Sequence, residues 1–299
     1  MSGPVLITGG SGQLARALEE ALNAALDQAP LGRAVRVGRP EFDFDRPETL
    51  AATLDRVRPA LVINAAAYTA VDRAETEPEA AARANQSGPG LIARWCAAQG
   101  VPLIHVSTDY VFDGAKGAPY VETDAPNPTG VYGATKLAGE REVLASGARA
   151  VVLRTSWVYG ASGKNFVLTM LNARAKTDRL RVVADQIGCP TATPDLAAAI
   201  LGVAARIEAG WREEYAGVFH AAGSGATSWH GLASAVFEEA ARHGVTPPTV
   251  EPIATADWPT PAQRPADSRL DCGKLARVFG VTLPPWRDSL KAVIDRFYR

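Results

Sequence analysis

Short apolar runs alternate with stretches of helical periodicity along the first half of the chain. Pro4-Val5-Leu6-Ile7-Thr8 predicts a buried strand that enters a glycine-rich turn, followed by a helix running to about Asp27. Ala34 to Val37 predicts a second strand, and Ala60 to Ala67 a third that ends in small residues. An alanine-rich helix is expected from about Glu79 to Gln99, a strand at Pro102 to Ser107, and a Gly/Pro-rich loop from Asp113 to Pro128, long enough to cover a site. A helix from Tyr132 to about Leu144 and a strand at Ala150 to Arg154 complete this half. Strand and helix alternate without internal repeats, which predicts an α/β protein with a parallel sheet. From Trp157 the pattern loosens, with prolines at 190, 194, 247, 248, 252, 259, 261 and 265.

The turn after the first strand reads Gly9-Gly10-Ser11-Gly12-Gln13-Leu14-Ala15. Strand, glycine turn and helix in that order are what a phosphate cradle needs; the other reading is a plain strand-to-helix turn that uses glycine for its positive φ. Gly9 and Gly12 allow a tight turn, Ala15 lets helix pack on strand, and the helix start points free N–H groups at a diphosphate. The spacing is Gly-x-x-Gly-x-x-Ala, one position away from Gly-x-Gly-x-x-Gly. The fold class this implies is a Rossmann-type doubly wound parallel sheet with a smaller C-terminal substrate-binding lobe. Residues 1–156 are expected to form the dinucleotide-binding domain, with 195–222 returning to it, and 157–194 and 223–299 the lobe. Right-handed crossovers put Gly9, Arg39, Ala65 and Thr108 on one sheet edge, where cofactor and substrate should meet. After the second strand stands Gly38-Arg39 rather than an acid. Arg39 either meets a ribose 2′-phosphate, which favours NADPH over NADH, or is a solvated surface cation.

Tyr132 and Lys136 lie four apart on one helix face, so the ammonium is expected to lower the phenol pKa from about 10 towards neutrality. Thr108, at the end of the fourth strand, would supply a hydroxyl to the same carbonyl oxygen. The formal charge of −1 with 21% charged residues gives no basic field for nucleic acid. No apolar run approaches the roughly 20 residues of a membrane helix, and no leader pattern is visible, so a cytoplasmic protein is expected. Cys96, Cys189 and Cys272 are odd in number and scattered, which reads as buried or incidental thiols.

Longer stretches carry a resemblance. They are Asn64-Ala-Ala-Ala-Tyr68-Thr-Ala-Val-Asp72, Ser107-Thr108-Asp109-Tyr110-Val111-Phe112, Val131-Tyr132-Gly-Ala-Thr-Lys136-Leu-Ala-Gly-Glu140, Arg154-Thr-Ser-Trp157-Val-Tyr159, Asp185-Gln186-Ile-Gly188-Cys-Pro190-Thr191 and Pro259-Thr-Pro261-Ala-Gln-Arg264-Pro-Ala-Asp-Ser268-Arg269-Leu270. Together they resemble the extended short-chain dehydrogenase/reductases, and within them the dTDP-4-dehydrorhamnose reductase family. The resemblance implies reduction of the C4 keto group of dTDP-4-dehydro-L-rhamnose, with hydride from a reduced nicotinamide while Tyr132 protonates the oxygen. It implies cofactor contacts at Gly12, Gln13 and Leu14, with Asp43 and Phe44 near the adenine, Ala65, Ala66 and Ala67 along the dinucleotide, and Tyr132 and Lys136 at the nicotinamide ribose. Thr108, Asp109 and Trp157 match substrate contacts, and Asn165, Gln186 and Arg264 are further candidates. Apart from the resemblance, Trp157 reads as a core or lobe-interface tryptophan, and Arg264 as a diphosphate partner or a solvated loop cation. Some members carry two glutamates associated with a Mg²⁺-dependent dimer. Ala17 and Pro194 stand at those places, which implies no metal and leaves a homodimer, if formed, without a metal bridge. Tyr68 stands where a histidine is common. Two other readings use the same residues: a nucleotide-sugar epimerase or dehydratase, and a non-catalytic NADP-binding regulatory subunit.

Overall fold

A computed structural model describes residues 3–24 and 32–299 of the chain. β1 (Val5–Thr8) is wholly buried and leads into α1 (Gln13–Ala24), whose Leu14, Ala15, Leu18 and Leu22 form an apolar stripe at helical spacing. The expected end of this helix near Asp27 lies outside the described residues. β2 (Ala34–Val37), α2 (Glu48–Val57) and β3 (Leu61–Asn64) follow. Next come α3 (Val71–Ala74), α4 (Pro78–Ala82), α5 (Gly88–Gln99), β4 (Leu103–Thr108), α6 (Val131–Ala145) and β5 (Ala150–Thr155). The strand expected to reach Ala67 stops at Asn64, and Ala65 to Ala67 lie beyond its end. The helix expected over Glu79 to Gln99 is broken by a π turn at Arg83–Ser87. Asn85 turns inward there, its amide bonded to both backbone polar groups of Tyr68 and to the Thr135 hydroxyl of α6.

The second half contains β6 (Val158–Tyr159), α7 (Phe166–Arg174), β7 (Arg179–Val183), β8 (Ile187–Gly188), β9 (Thr191–Ala192) and α8 (Thr193–Ala209). It continues through β10 (Gly217–His220), β11 (Thr227–Ser228), α9 (Trp229–Ala241), β12 (Thr249–Ile253), α10 (Gly273–Phe279) and α11 (Trp286–Phe297).

Six parallel strands form the main sheet in the order β2-β1-β3-β4-β5-β10. The order reverses at β1, so a crevice opens outside the C-terminal ends of β1 and β3, where ligands of open α/β sheets bind. Register brings Thr8 beside Asn64, Asn64 beside His105, and Thr108 beside Thr155. On one face Ile7, Ile104 and Leu153 pack against α1 and α8. On the other, Leu6, Val62 and Leu103 pack with Leu50 and Leu54 of α2 and Ile92 of α5. Full burial of each such side chain contributes about 1.5–3 kcal/mol. A separate core of Tyr159, Val167, Val236, Trp286 and Leu290 holds the lobe together. Leu275, Phe279 and Leu283 join the core of the main sheet, although the sequence reading put residues 273–283 with the lobe. Their aromatic and leucine positions fill space beside Phe219 of β10, and loop proline content gave no sign of that docking.

Candidate active site

The glycine turn is built by two left-handed residues, Gly9 (φ +112°) and Gly10 (φ +48°). It is closed by the Gly12 N–H donating to the Gly9 carbonyl at 2.8 Å and the Gly10 N–H to the Val37 carbonyl at 2.9 Å. A Cβ on Gly38 would stand 2.6 Å from the Gly10 Cα, so the loops after β1 and β2 meet where only glycine fits. The first turn of α1 holds no acidic residue, which leaves its positive end uncompensated. From below, Arg36 donates to the Gly10 carbonyl at 2.5 Å and to Glu19 at 2.7 Å. Arg39 is exposed at the rim and precedes a cis peptide to Pro40. Asp43 accepts the Asp45 N–H at 3.1 Å, and the Phe44 ring covers Gly88 at the start of α5. The Ala66 N–H, just past β3, donates to the Thr8 hydroxyl at 3.2 Å, and that hydroxyl bonds Asn64 at 2.6 Å. Small side chains, a glycine turn and a helix start thus fit a dinucleotide laid across this edge.

Beside that edge, Thr108 ends β4 and Tyr132 stands in the first turn of α6. The Tyr132 phenol is in hydrogen-bonding contact with Thr108, and its ring meets Tyr110 edge-on at 5.6 Å. Burial pushes the phenol pKa up to about 12, against the Thr108 contact, and the Asp109 charge raises it further. Lys136 takes no part in that balance, contrary to the expectation that it lowers the phenol pKa. Its chain is long enough to turn away to β4, where Nζ donates to the Val106 carbonyl at 2.7 Å. Burial holds Lys136 itself down at about 8, with Glu140 pulling upward. Glu140 is buried in turn, accepting from Ser107 at 2.5 Å and from Arg154 at 2.9 and 2.6 Å. Asp109 lies behind Thr108 and accepts from Thr108 and Ser156 at 3.0 Å each. Burial lifts its pKa to about 6, while bonds from Ser268, Ser156 and Thr108 oppose the rise.

The lobe residues are placed differently from one another. Trp157 leaves β5 next to Asp109 and stacks on Trp229, with centroids 3.4 Å apart and planes 5° from parallel. Asn165 caps α7 by accepting the Leu168 N–H at 3.0 Å, and its amide donates to Gly160, Ser162 and the Gln13 side chain. Gln186 accepts the Trp229 indole N–H at 3.1 Å and donates to Thr255 at 3.0 Å. Arg264 forms a two-pronged pair with Asp72 at 3.0 and 2.8 Å. The polar ends of Asn165, Gln186 and Arg264 are therefore engaged inside the protein, whereas Thr108, Asp109, Tyr132 and Trp157 cluster at the sheet edge.

Residues 3–299 match the family model described as RmlD substrate binding domain. The chain belongs to this family. A dTDP-4-dehydrorhamnose reductase of Sinorhizobium fredii is 42% identical over 96% of this chain and 95% of its own length. Among solved structures, one described as a dTDP-4-dehydrorhamnose reductase from Clostridium acetobutylicum superposes with a TM-score of 0.90 at 35% identity, over 99% of this chain and 100% of that one. One from Bacillus anthracis, solved in complex with NADP, gives 0.89 at 32%, again over 99% and 100%. Membership fits the fold and the cofactor edge alike. Among the described residues no group of three His, Cys, Asp or Glu could hold a metal ion, and no helix is long and apolar enough to cross a membrane.

Several residues of this family member escaped the sequence reading. Trp229 gave no signal because an aromatic at a helix start reads as packing. Ser156 and Ser268 stand within the stretches that carry the resemblance, but nothing in a small hydroxyl's sequence neighbours tells that both would turn to Asp109. Arg36 carried a signal that could have found it, a charge between apolar residues of a predicted strand, a half-buried position that favours a partner.

Proposed function

We propose that the chain reduces the C4 keto group of dTDP-4-dehydro-L-rhamnose to dTDP-L-rhamnose with NADPH. The observation that carries this reading is the meeting of Tyr132, Thr108 and Lys136 with the glycine turn at one sheet edge, in a chain that matches the reductase family end to end. Bound NADPH supplies the hydride. Gly9, Gly12, Gln13 and Leu14 would hold its diphosphate at the start of α1, and Ala65 to Ala67 let it lie close to the backbone. Arg39 stands free at the rim for a 2′-phosphate, with Asp43 and Phe44 beside the adenine.

Tyr132 carries the proton destined for the substrate oxygen. A phenol with its pKa near 12 is fully protonated at neutral pH, which is the state a general acid needs. The single Thr108 hydroxyl proton, given to Asp109 in this structure, would turn to the substrate oxygen as a second hydrogen bond beside the phenol. Lys136, anchored on Val106, places a positive charge under the site as the tyrosinate forms. Trp157 supplies an apolar surface and an indole N–H for the sugar. The same reading places the protein in the cytoplasm with its nucleotide-sugar substrate.

The test follows NADPH absorbance with dTDP-4-dehydro-L-rhamnose generated by a coupled epimerase. Stoichiometric oxidation with appearance of dTDP-L-rhamnose is expected. Interconversion of sugars without net NADPH consumption would assign an epimerase instead, and no turnover with capture of a partner enzyme would assign a regulatory subunit.

A further inference from the structure

We infer that Trp229, at the first position of α9, is a positioning residue that sets sugar affinity by holding the Trp157 indole in the cleft; this rests on the reductase reading above. Trp157 has φ +47°, a left-handed backbone that a bulky side chain adopts only when its surroundings impose it. The imposing contact is the parallel stack of the two indoles at 3.4 Å. Trp229 is itself fixed on three sides. Its indole N–H donates to Gln186, the Phe166 ring leans on it at 4.6 Å, and Ser228 caps the helix it begins by accepting the Gly231 N–H at 3.0 Å. Gln186 is tied to Thr255, and Asp185 accepts both the hydroxyl and the N–H of Thr255 at 2.6–3.0 Å.

The other boundary of the Trp157 indole is Gly188, where a Cβ would run into the ring. Gly188 lies in a small ladder that leads directly into Trp229, since β8 pairs with β11, Gly188 stands opposite Thr227, and Trp229 follows β11 as the first residue of α9. This two-strand ladder and the helix start that follows it therefore carry both surfaces that confine the indole. On its other side Trp157 adjoins Ser156, which donates to Asp109, the neighbour of Thr108. Small displacements of Trp229 are thus passed to the surface offered to the sugar, and the partners of Trp229 itself are Trp157, Phe166 and Gln186, not residues of the cofactor turn.

The experiment compares wild type, Trp229→Leu, Trp229→Phe and Gly188→Ala. The readouts are KM for the ketosugar, Kd for dTDP-L-rhamnose by calorimetry, Kd for NADPH, and far-ultraviolet circular dichroism, where stacked indoles give an exciton couplet. Trp229→Leu should lose the couplet and weaken both sugar constants about tenfold, the loss of one stacked aromatic contact. NADPH affinity should stay within about twofold. Trp229→Phe, which keeps a stacking face, should recover most of the sugar affinity. Gly188→Ala should reproduce the sugar defect with Trp229 intact, so an unfolded Trp229→Leu does not rescue the idea. Loss of the couplet with unchanged sugar constants overturns the inference, as does an equal loss of NADPH affinity. A wild type that neither binds nor turns over these sugars removes the reductase reading and this inference together; a normal wild type with unaltered variants removes the inference alone.

Discussion

Lys136 gives the sharpest quantitative prediction. It is almost wholly buried, and its pKa falls from 10.5 to about 8. At 1.36 kcal/mol per pH unit, that difference means the folded state carries a penalty of about 3 kcal/mol for keeping the ammonium charged. The sign follows from proton counting. Between about 8 and 10.5 the unfolded chain binds the proton and the folded chain has lost it, so this residue makes stability rise with pH across that window. Below about 8 the penalty is constant and complete. Lys136→Met, similar in volume and uncharged, should therefore stabilise the fold at pH 7. Losing the Nζ donor to the Val106 carbonyl takes back about 1 kcal/mol, leaving a net gain of about 2 kcal/mol. With an unfolding entropy of ~2.1 cal/mol/K per residue over this chain, that is a rise in Tm of about 3 °C. Urea and thermal unfolding at pH 6, 7, 8, 9 and 10 test it, alongside turnover, which should collapse. A variant less stable than wild type at pH 7, or an advantage that fails to shrink as pH climbs towards 10, would refute the reasoning.

Tyr132→Phe should lower kcat by about 10²–10⁴-fold while NADPH still quenches protein fluorescence with nearly unchanged affinity; near-normal turnover would remove Tyr132 from the chemistry. Asp109, lifted from 3.8 to about 6, costs stability as pH rises through about 6, so Asp109→Asn should be more stable than wild type at pH 7.5 by up to about 3 kcal/mol, with the gap closing by pH 4 in urea titrations. Asn165→Ala removes the α7 cap and the bond to Gln13, and should cost about 1 kcal/mol in unfolding and raise KM for NADPH several-fold; an unchanged KM would restrict Asn165 to capping.

Much of this architecture could be read from local patterns. Apolar runs such as Val5–Ile7 and Ala150–Leu153 announce strands buried on both faces, and the glycine turn announces its own backbone geometry. The place of Thr108 followed from strand ends sharing an edge, and Tyr132 reaches it from the first turn of α6. What stayed hidden depends on long-range partners. Helical spacing placed Lys136 beside Tyr132 but could not tell that a strand carbonyl would claim its ammonium. Gln186 and Arg264 are polar residues in a proline-rich region, and only three-dimensional proximity reveals Trp229 and Asp72 as their partners. The π turn at Asn85 was illegible because an alanine-rich run satisfies α periodicity equally well.

Gln13 has a consequence of its own. Its amide nitrogen donates to the Val158 carbonyl and its oxygen accepts from Asn165, so the residue beside the diphosphate cradle is knotted to the segment one step past Trp157. The floor under one reactant and the wall beside the other share this pin. A change at Gln13 therefore reaches the backbone beside the sugar wall, and whatever coupling that bond carries is the same for both reactants by thermodynamic reciprocity.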